Sequence, residues 1–329
     1  MDVCKAAGVS TATVSRVINK SPLVREPTRK RVMESIEALG YRPSYAARTL
    51  ARQRTDSLGV ILPEIAGGFF TEVLRGIDRV AAQHDMHLMT AFSHGRNDQE
   101  ELLLRLLHQR RADALISMNL TLPDSFVRES AGQGLPIVLI GRPVEGANII
   151  SIALDNAGGA DKAVTHLIEH GYKKIAIITG PKHNFDSEKR LEGSREAISR
   201  AKLQLPEEMI WQGAFTEESG RLAMMNWMAK GHPLPDAIFA CNDQMAFGAM
   251  DALREKGHRV PEDVAIIGFD DIESARLLNL STIHVPMTEL GATAAEAALQ
   301  QISNTVTQTQ RVLPTSLVLR RSCGCEKAK

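Results

Sequence analysis

Residues 9–19 combine small polar side chains with aliphatic ones at a spacing typical of an α-helix. The aliphatic side chains would face inward together: Val9, Val14, Val17 and Ile18. The opposite face would hold small or polar side chains and one guanidinium: Thr11, Ala12, Thr13, Ser15, Arg16 and Asn19. Such a face fits the major groove of DNA, where hydroxyl groups bind phosphates and an Arg can bind a guanine through two hydrogen bonds. The sequence therefore predicts a DNA-reading helix near its start.

The residues before this helix are those of a tight turn. Gly8 tolerates the positive φ that the turn requires, and Ser10 can cap the helix by accepting a hydrogen bond from a free N–H group. Residues 4–7 would end a preceding helix, and residues 28–39 have apolar side chains at helical spacing. Three short helices with a small shared core predict a helix-turn-helix head.

The charge of the chain is distributed unevenly. Its 39 basic and 39 acidic residues cancel, but residues 1–56 contain 11 Lys or Arg and 5 Asp or Glu. The head therefore has a net charge of +6 and the remainder a net charge of −6. A basic head on an acidic body favours a polyanion as the partner of the head alone.

A second group of polar residues lies near predicted strand ends. Asn242 and Asp270 each follow an apolar run, and Arg190 is expected at the start of a helix. Aromatic residues are expected in loops at Phe69, Phe70 and Phe215. This combination suits a polyhydroxylated ligand: the aromatic rings can cover its C–H faces, and the carboxylate, amide and guanidinium groups can bind its hydroxyl groups. Asp and Asn after strands also cap helices; this reading is favoured for Asp155 and Asp243 and stays open for Asn242 and Asp270.

The elements that position these residues alternate between strands and helices. Strands are expected at 58–62, 88–91, 114–118, 137–140, 149–154, 174–179, 237–240 and 264–268. Helices are expected at 71–84, 99–109, 159–170, 188–201, 218–229, 243–256 and 288–303. The alternation predicts parallel sheets covered by helices on both faces, and the length of this region predicts two lobes. Asp-Ala-Leu-Ile at 113–116 and Asp-Ala-Ile-Phe at 236–239 are a weak sign of an internal repeat.

Other classes of function lack support in the sequence. It contains no dinucleotide or P-loop glycine motif, no nucleophile elbow and no HExxH motif, so neither an enzyme nor a cofactor is expected. Cys323 and Cys325 could bind a soft metal or oxidise, but no other ligand lies near them in sequence, and no metal site is predicted. Without a long apolar run or a secretion leader, the expected location is the cytoplasm, with no membrane partner.

The chain resembles the LacI/GalR family of bacterial transcription factors over nearly its whole length. The motifs that carry this resemblance are 2–19, 28–43, 47–50, 69–70, 190–193, 242–246, 260–264 and 268–271. The resemblance implies an α/β protein with a small all-α helix-turn-helix head and a two-lobed core, similar to periplasmic binding proteins, with two parallel doubly wound sheets. The implied segments are a head at 1–43, a hinge helix and linker at 44–56 and an effector-binding core at 57–329. The N-lobe would comprise 57–156 and 286–313, and the C-lobe 157–285 and 314–329.

The resemblance also implies a sequence-specific transcriptional regulator, a repressor, that binds pseudo-palindromic operator DNA as a homodimer. The positions that read base edges are Thr11, Ala12 and Arg16. The positions that contact the DNA backbone are Ser10, Thr13, Ser15 and Asn19. Hinge contacts are implied for Ala47 and Leu50, with Leu50 inserted in the minor groove.

A small effector bound between the lobes would control operator affinity. The implied effector-binding residues are Phe69, Phe70, Asn119, Asn184, Asp186, Arg190, Phe215, Asn242 and Asp270. A sugar or sugar acid is the expected effector, with a purine-like ligand as the alternative, and it could act as inducer or corepressor. Family members usually have several residues before the position of Asp2, so the alternative function is a sugar-binding module with a weakened or non-functional head.

Overall fold

The structure is a computed structural model that describes residues 2–18, 21–41, 54–63, 67–108, 111–118 and 122–325. The chain divides into two compact units, Met1–Thr55 and Asp56–Lys329. Among the described residues, no helix is both long and apolar enough to cross a membrane.

The first unit contains three helices: α1 (Asp2–Ala7), α2 (Thr11–Ile18) and α3 (Glu26–Ala38). Their shared core consists of small and β-branched side chains, all of them buried: Val3, Ala7, Val14, Val17 and Val32. Val9 and Ile18 pack against this core, as predicted. The head is therefore an all-α unit in which the inward face of α2 is the one that its sequence pattern indicates.

The second unit alternates strands and helices. Its strands are β1 (Ser57–Leu62), β2 (His87–Phe92), β3 (Ala114–Met118), β4 (Ile137–Ile140), β5 (Ile149–Leu154), β6 (Ile175–Thr179), β7 (Ile210–Gln212), β8 (Ala237–Ala240), β9 (Ala265–Asp270), β10 (Ser281–His284), β11 (Gln310–Leu313) and β12 (Ser316–Val318). Its helices are α4 (Gly68–Gln83), α5 (Asn97–His108), α6 (Asp124–Gly132), α7 (Asn156–Glu169), α8 (Phe185–Arg200), α9 (Glu217–Ala229), α10 (Asp243–Glu255), α11 (Glu273–Leu277) and α12 (Met287–Ile302). The central strands are buried along their whole length because helices cover both faces of each sheet.

The strands form two six-stranded sheets with the same arrangement. Sheet 1 has the order β11-β5-β4-β3-β1-β2, and sheet 2 has the order β12-β10-β9-β8-β6-β7. The recorded pairs are parallel except for β10 and β12, which pair antiparallel. The two Asp-Ala tetrapeptides open β3 and β8, which hold equivalent positions in the two sheets. The two similar tetrapeptides thus lie at the starts of strands that have the same place in the strand order of the two sheets.

Helix α4 is held against α12 by close backbone approach. A Cβ atom at Gly76 would lie 2.0 Å from the carbonyl oxygen of Thr288, and one at Gly291 would lie 1.9 Å from that of Val73. Only glycine fits at both positions, so the two helices pack with their backbones in contact. The first turn of α4 reaches the cavity described below.

Several expectations about elements were wrong in detail. Phe69 and Phe70 lie in the first turn of α4 rather than in a loop, because that helix begins after Gly67, whose φ is 88°. Arg190 lies in the second turn of α8 rather than at its start, because Asn184 caps the helix. Six short elements were not predicted: α6, α11, β7, β10, β11 and β12. Five of them have only three to five residues and are mixed polar and apolar rather than continuous apolar runs, and α6, with nine residues, lacks a clear apolar stripe.

Candidate DNA-binding face and ligand cavity

The turn before α2 has the geometry that its sequence predicts. Gly8 has a φ of 61°, and the N–H of Val9 donates to the carbonyl of Cys4 at 3.0 Å. The N–H of Thr13 donates to Oγ of Ser10 at 3.2 Å, which confirms Ser10 as the cap of α2. The hydroxyl groups of Ser10 and Thr13 also lie 3.0 Å apart.

The outward face of α2 is polar and open to solvent. Val14 and Val17 are buried, whereas the side chains of the predicted reading face are exposed or, for Thr13, half-buried: Thr11, Ala12, Thr13, Ser15 and Arg16. Asn19, Ala47 and Leu50 lie outside the described residues. The predicted base and phosphate contacts of this face require DNA to test them.

A cavity of about 880 Å³ lies at the carboxyl ends of the strands in the core. Eight of the nine predicted effector-binding residues line it: Phe69, Phe70, Asn184, Asp186, Arg190, Phe215, Asn242 and Asp270. Asn119, the ninth, lies outside the described residues. The volume is in the range of small-molecule sites. Both sheets contribute to the lining. From sheet 1 come the loop after β1 and the first turn of α4, and from sheet 2 come residues at or after the ends of β6, β8 and β9.

Arg190 is the centre of the polar wall. Its side chain is 4% exposed, and its Nε donates to Oδ1 of Asn156 at 2.8 Å while Nη1 donates to the carbonyl of Cys241. Its Cζ atom lies 3.7 Å from the centre of the Phe269 ring, within cation–π distance. No hydrogen bond of Nη2 is recorded among the described residues. The guanidinium is therefore fixed in place with one amino group left for a ligand.

Asp270, the last residue of β9, has a buried carboxylate oxygen without a hydrogen bond. Its Oδ1 lies 3.6 Å from Nη1 of Arg190, beyond hydrogen-bond distance, and accepts from no described residue. Leaving a buried acceptor unpaired costs about 1–3 kcal/mol. Because this atom belongs to a residue that lines the cavity, a donor on a ligand would remove that cost.

Burial raises the pKa values of the carboxylates around Arg190. Burial raises the pKa of Asp270 to about 7, although Arg190 acts in the opposite direction. Burial likewise raises the pKa of Asp186, against the opposing effects of Arg190 and a 2.8 Å hydrogen bond from Asn156. The pKa of Asp243 is raised by burial and by the neighbouring Asp270. Two lining carboxyl groups, Asp186 and Asp270, thus lie close to one buried Arg and hold their protons to higher pH than exposed carboxyl groups do.

Four lining residues other than glycine have a positive φ: His94, His183, Phe215 and Asp270. The φ of Phe215 is 63°, which is rare for a bulky side chain. Its ring packs over Gly180, where a Cβ atom would lie 2.2 Å from the ring. Strained backbone of this kind is typical of binding sites, where the surrounding structure holds side chains in place.

Some polar residues near the strand ends cap the following helix, and some of these also line the cavity. Asn242 caps α10 by accepting from the N–H of Met245 at 2.9 Å, and Asn184 caps α8 in the same way. Both also line the cavity, so capping a helix does not keep Asn242 away from a ligand, and its ligand contact stays a prediction. Asp243 does not cap α10, contrary to expectation, because it is buried and accepts from Thr282 at 2.5 Å and from the N–H of Ile272 at 2.9 Å. Asp155 caps α7 as expected.

Sequence reasoning missed two residues that line the cavity, Arg142 and Lys182. Asn156 lies two residues after β5, a position that made it a candidate in the sequence, and its amide connects Asp186 and Arg190. Arg142 and Lys182 line the cavity soon after β4 and β6. These two cations follow strand ends, but they belong to no motif in the sequence.

The chain matches two family profiles. "Bacterial regulatory proteins, lacI family" matches residues 1–44, and "Periplasmic binding protein-like domain" matches residues 164–323. The HTH-type transcriptional regulator GalS of Salmonella typhimurium is 35% identical over 325 residues, which cover 98% of this chain and 95% of the relative.

Two solved structures are similar over 98% of both chains. The lac repressor dimer bound to operator and the anti-inducer ONPF is 27% identical, with a TM-score of 0.85. The transcriptional regulator CelR in complex with cellobiose is 31% identical, with a TM-score of 0.75. The likeness therefore extends through both the head and the core.

Proposed function

This chain belongs to the LacI family of bacterial regulatory proteins, and from this premise we propose that a sugar or sugar acid bound in its cavity controls its affinity for operator DNA. Its homologues are DNA-binding transcriptional regulators and not enzymes, and this chain is such a regulator. The proposal therefore concerns three things: the identity of the ligand, the residues that bind the ligand, and the residues that bind the DNA.

The observation that carries the proposal is Oδ1 of Asp270, a buried oxygen that accepts no hydrogen bond from the described residues and lies 3.6 Å from the fixed guanidinium of Arg190, its ion-pair partner. A carboxylate accepts hydrogen bonds and an Arg amino group donates them, so the two together bind adjacent hydroxyl groups, which both donate and accept. A pyranose or furanose ring supplies such pairs of hydroxyl groups. Asn156 then acts as a positioning residue because it orients both Arg190 and Asp186.

The arrangement of aromatic rings favours a sugar over a purine. Phe69 and Phe70 meet edge to face, with centres 5.6 Å apart and planes at 81°. A planar base stacks best between parallel rings, whereas perpendicular rings can cover the curved C–H faces of a sugar. The CelR–cellobiose complex supports the same class of ligand.

The DNA-binding part of the proposal rests on the exposed face of α2. Two copies of this face, one from each chain of a homodimer, would enter major grooves in the two halves of a pseudo-palindromic operator. Arg16 would bind a guanine, and Leu50 would enter the minor groove at the centre. The proposed segments are a head at 1–43, a hinge at 44–56 and a core at 57–329.

A thermal-shift screen of sugars, sugar acids and nucleobases tests the ligand class, since a ligand that binds the folded state raises the melting temperature. We expect a sugar or sugar acid to raise it. Operator binding is then measured by mobility shift at low salt, on DNA from the region upstream of its own locus, with and without that ligand. A purine as the only stabilising ligand would contradict the ligand class, and unchanged DNA binding would contradict the regulatory role of the cavity.

A further inference from the structure

The end of the described chain brings a cysteine against two histidines, far from the ligand cavity in sequence. Sγ of Cys325 lies 3.3 Å from Nε2 of His166 and 3.1 Å from Nε2 of His170. His166 is in the last turn of α7, and His170 directly follows that helix. Within the described residues, these three side chains form the one group of His, Cys or carboxylate ligands close enough together to hold a metal ion.

A backbone hydrogen bond orients one ring of the cluster. Nδ1 of His170 lies 3.0 Å from the carbonyl oxygen of His166, and because a carbonyl can only accept, Nδ1 carries the proton. The neutral ring therefore has its lone pair on Nε2, the atom that lies next to Cys325. This is the arrangement found around metal-ligating histidines, whose second nitrogen donates to a carbonyl or carboxylate.

The separations also fit tetrahedral coordination. Zinc binds thiolate sulfur at about 2.3 Å and imidazole nitrogen at about 2.0–2.1 Å, so a tetrahedral site places sulfur about 3.6 Å from each nitrogen. The two observed separations of 3.3 and 3.1 Å are a few tenths of an ångström shorter. The three ligand atoms lie within 4.8 Å of one another, so a small adjustment of the side chains would let them surround one ion. Histidines at positions i and i+4 share one face of a helix, as in known zinc sites.

The backbone around the cysteine is anchored. Cys323 is fully buried, and its Sγ accepts from the hydroxyl of Ser281 at 3.1 Å. The hydroxyl of Tyr172 donates to the carbonyl of Cys323 at 3.4 Å, and the ring of Tyr172 stacks on His170. The ligands are therefore held on a fixed framework before a cation binds.

A cavity of about 530 Å³ is lined by the neighbours of the cluster in sequence, Gly171 and Gly324. Its acidic residues already have partners: Asp236 accepts from two backbone N–H groups, Glu262 pairs with Arg321, and Asp263 pairs with Arg259. The three ligand atoms themselves, rather than the charge of this cavity, therefore favour a cation.

We propose that His166, His170 and Cys325 bind a divalent cation of the zinc type, with water as the fourth ligand. The nitrogen and thiolate set selects zinc and other borderline or soft metals over magnesium and calcium, which prefer oxygen. Binding would join α7 to the last segment of the core across more than 150 residues of sequence.

The experiment uses the full chain without an affinity tag, stripped of metal with a chelator and kept reduced. Zn²⁺ is titrated in competition with a chromophoric chelator, and Co²⁺ is used as a spectroscopic probe of thiolate ligation. We expect one Zn²⁺ per chain and a thiolate-to-cobalt charge-transfer band. Cys325→Ser should remove that band and weaken Zn²⁺ binding by more than about 100-fold, above the 10- to 100-fold loss typical of second-shell changes.

Two further variants keep the outcome unambiguous. His166→Gln tests the site through a ligand on a stable helix, and it should weaken Zn²⁺ binding as Cys325→Ser does. His84→Gln replaces an exposed histidine at the end of α4 and should leave Zn²⁺ binding unchanged. Absence of tight Zn²⁺ binding to the reduced chain would overturn the proposal, as would binding that survives both ligand substitutions. A cobalt complex without the charge-transfer band would overturn the assignment of Cys325.

Discussion

At the scale of single residues, the buried carboxylate of Asp270 lowers the stability of the ligand-free chain and can bind a ligand. Its carboxylate is 9% exposed and one oxygen has no hydrogen bond from any described residue. Asp270→Asn should abolish the response of DNA binding to the effector while DNA binding without effector stays the same, because the amide replaces one acceptor oxygen with an NH2 donor and removes the negative charge that strengthens hydrogen bonds from ligand hydroxyl groups. Mobility shift with and without the effector measures both quantities.

Asp271→Asn is the matched control for this prediction. The carboxylate of Asp271 binds Arg320 at 2.6 Å and His284 at 3.0 Å, and it does not line the cavity. The control should keep its effector response. A normal response in the Asp270→Asn variant would remove Asp270 from the effector site.

The same carboxylate should make stability depend on pH. Its pKa is raised to about 7 in the folded chain, while an unfolded Asp titrates near about 3.9. Between about pH 4 and about pH 7 the folded state holds a proton that the unfolded state has lost, so the free energy of unfolding falls as pH rises. The raised pKa values of Asp186 and Asp243 act in the same direction.

Ligand-free Asp270→Asn should therefore gain stability over wild type as pH rises. We expect the stability of the variant relative to wild type to be higher at pH 8 than at pH 5, because the buried carboxylate of the wild type ionises near pH 7 and the amide does not ionise. Urea unfolding at the two pH values measures the difference. A gain that is larger at pH 5 would contradict the raised pKa of Asp270.

Arg16 is the residue of α2 whose loss should change sequence preference. Arg16→Ala is expected to cost about 1–3 kcal/mol in operator binding and to relax the preference at one base pair. Arg31→Ala removes the same charge from an exposed position on α3 and should lower affinity for all sequences by a similar factor. If Arg16→Ala also weakens all sequences equally, Arg16 binds phosphate rather than a base.

At the scale of elements, the loop after β6 holds an aromatic ring in the cavity. A Cβ atom at Gly180 would meet the ring of Phe215 at 2.2 Å, so Gly180→Ala must displace that ring. We expect effector binding to weaken about 2- to 10-fold, the equivalent of losing an aromatic contact of about 0.5–1.5 kcal/mol. Gly132→Ala is the control, because a Cβ atom there has no neighbour within 4 Å. Calorimetric titration with the effector compares the two variants.

Elements with a clear apolar pattern could be predicted from the sequence, even when short, and elements without one could not: β4 and β8 have four residues each and were predicted, whereas α6 has nine and was not. The apolar run of β5 and the periodic helix α2 were recognised because their patterns extend over several turns or residues. β12 has three residues and α11 has five, and tertiary contacts decide their structure. The start of α4 was missed because Gly67 and Gly68 indicate a loop, although glycine also occurs at helix starts.

At the scale of the whole molecule, the two sheets repeat one arrangement, so polar residues at equivalent strand ends meet in one cavity. Sequence position after a strand was therefore enough to find Asn242 and Asp270. The contact between Cys325 and the two histidines could not be found in this way, because more than 150 residues separate the ligands in sequence. Only the return of the chain from sheet 1 to sheet 2 after β11 brings them together.

The last prediction concerns the coupling between effector and DNA. If the effector changes operator affinity by some factor, operator DNA must change effector affinity by the same factor, because both describe one thermodynamic cycle. Effector affinity is measured by calorimetry on the free regulator and on its operator complex, and operator affinity by fluorescence anisotropy with and without effector. The two factors should agree, and typical coupling energies of about 1–3 kcal/mol correspond to about 5- to 150-fold. Equal effector affinity for the free and the DNA-bound regulator would mean that the cavity does not control the head, and the proposed regulation would then be wrong.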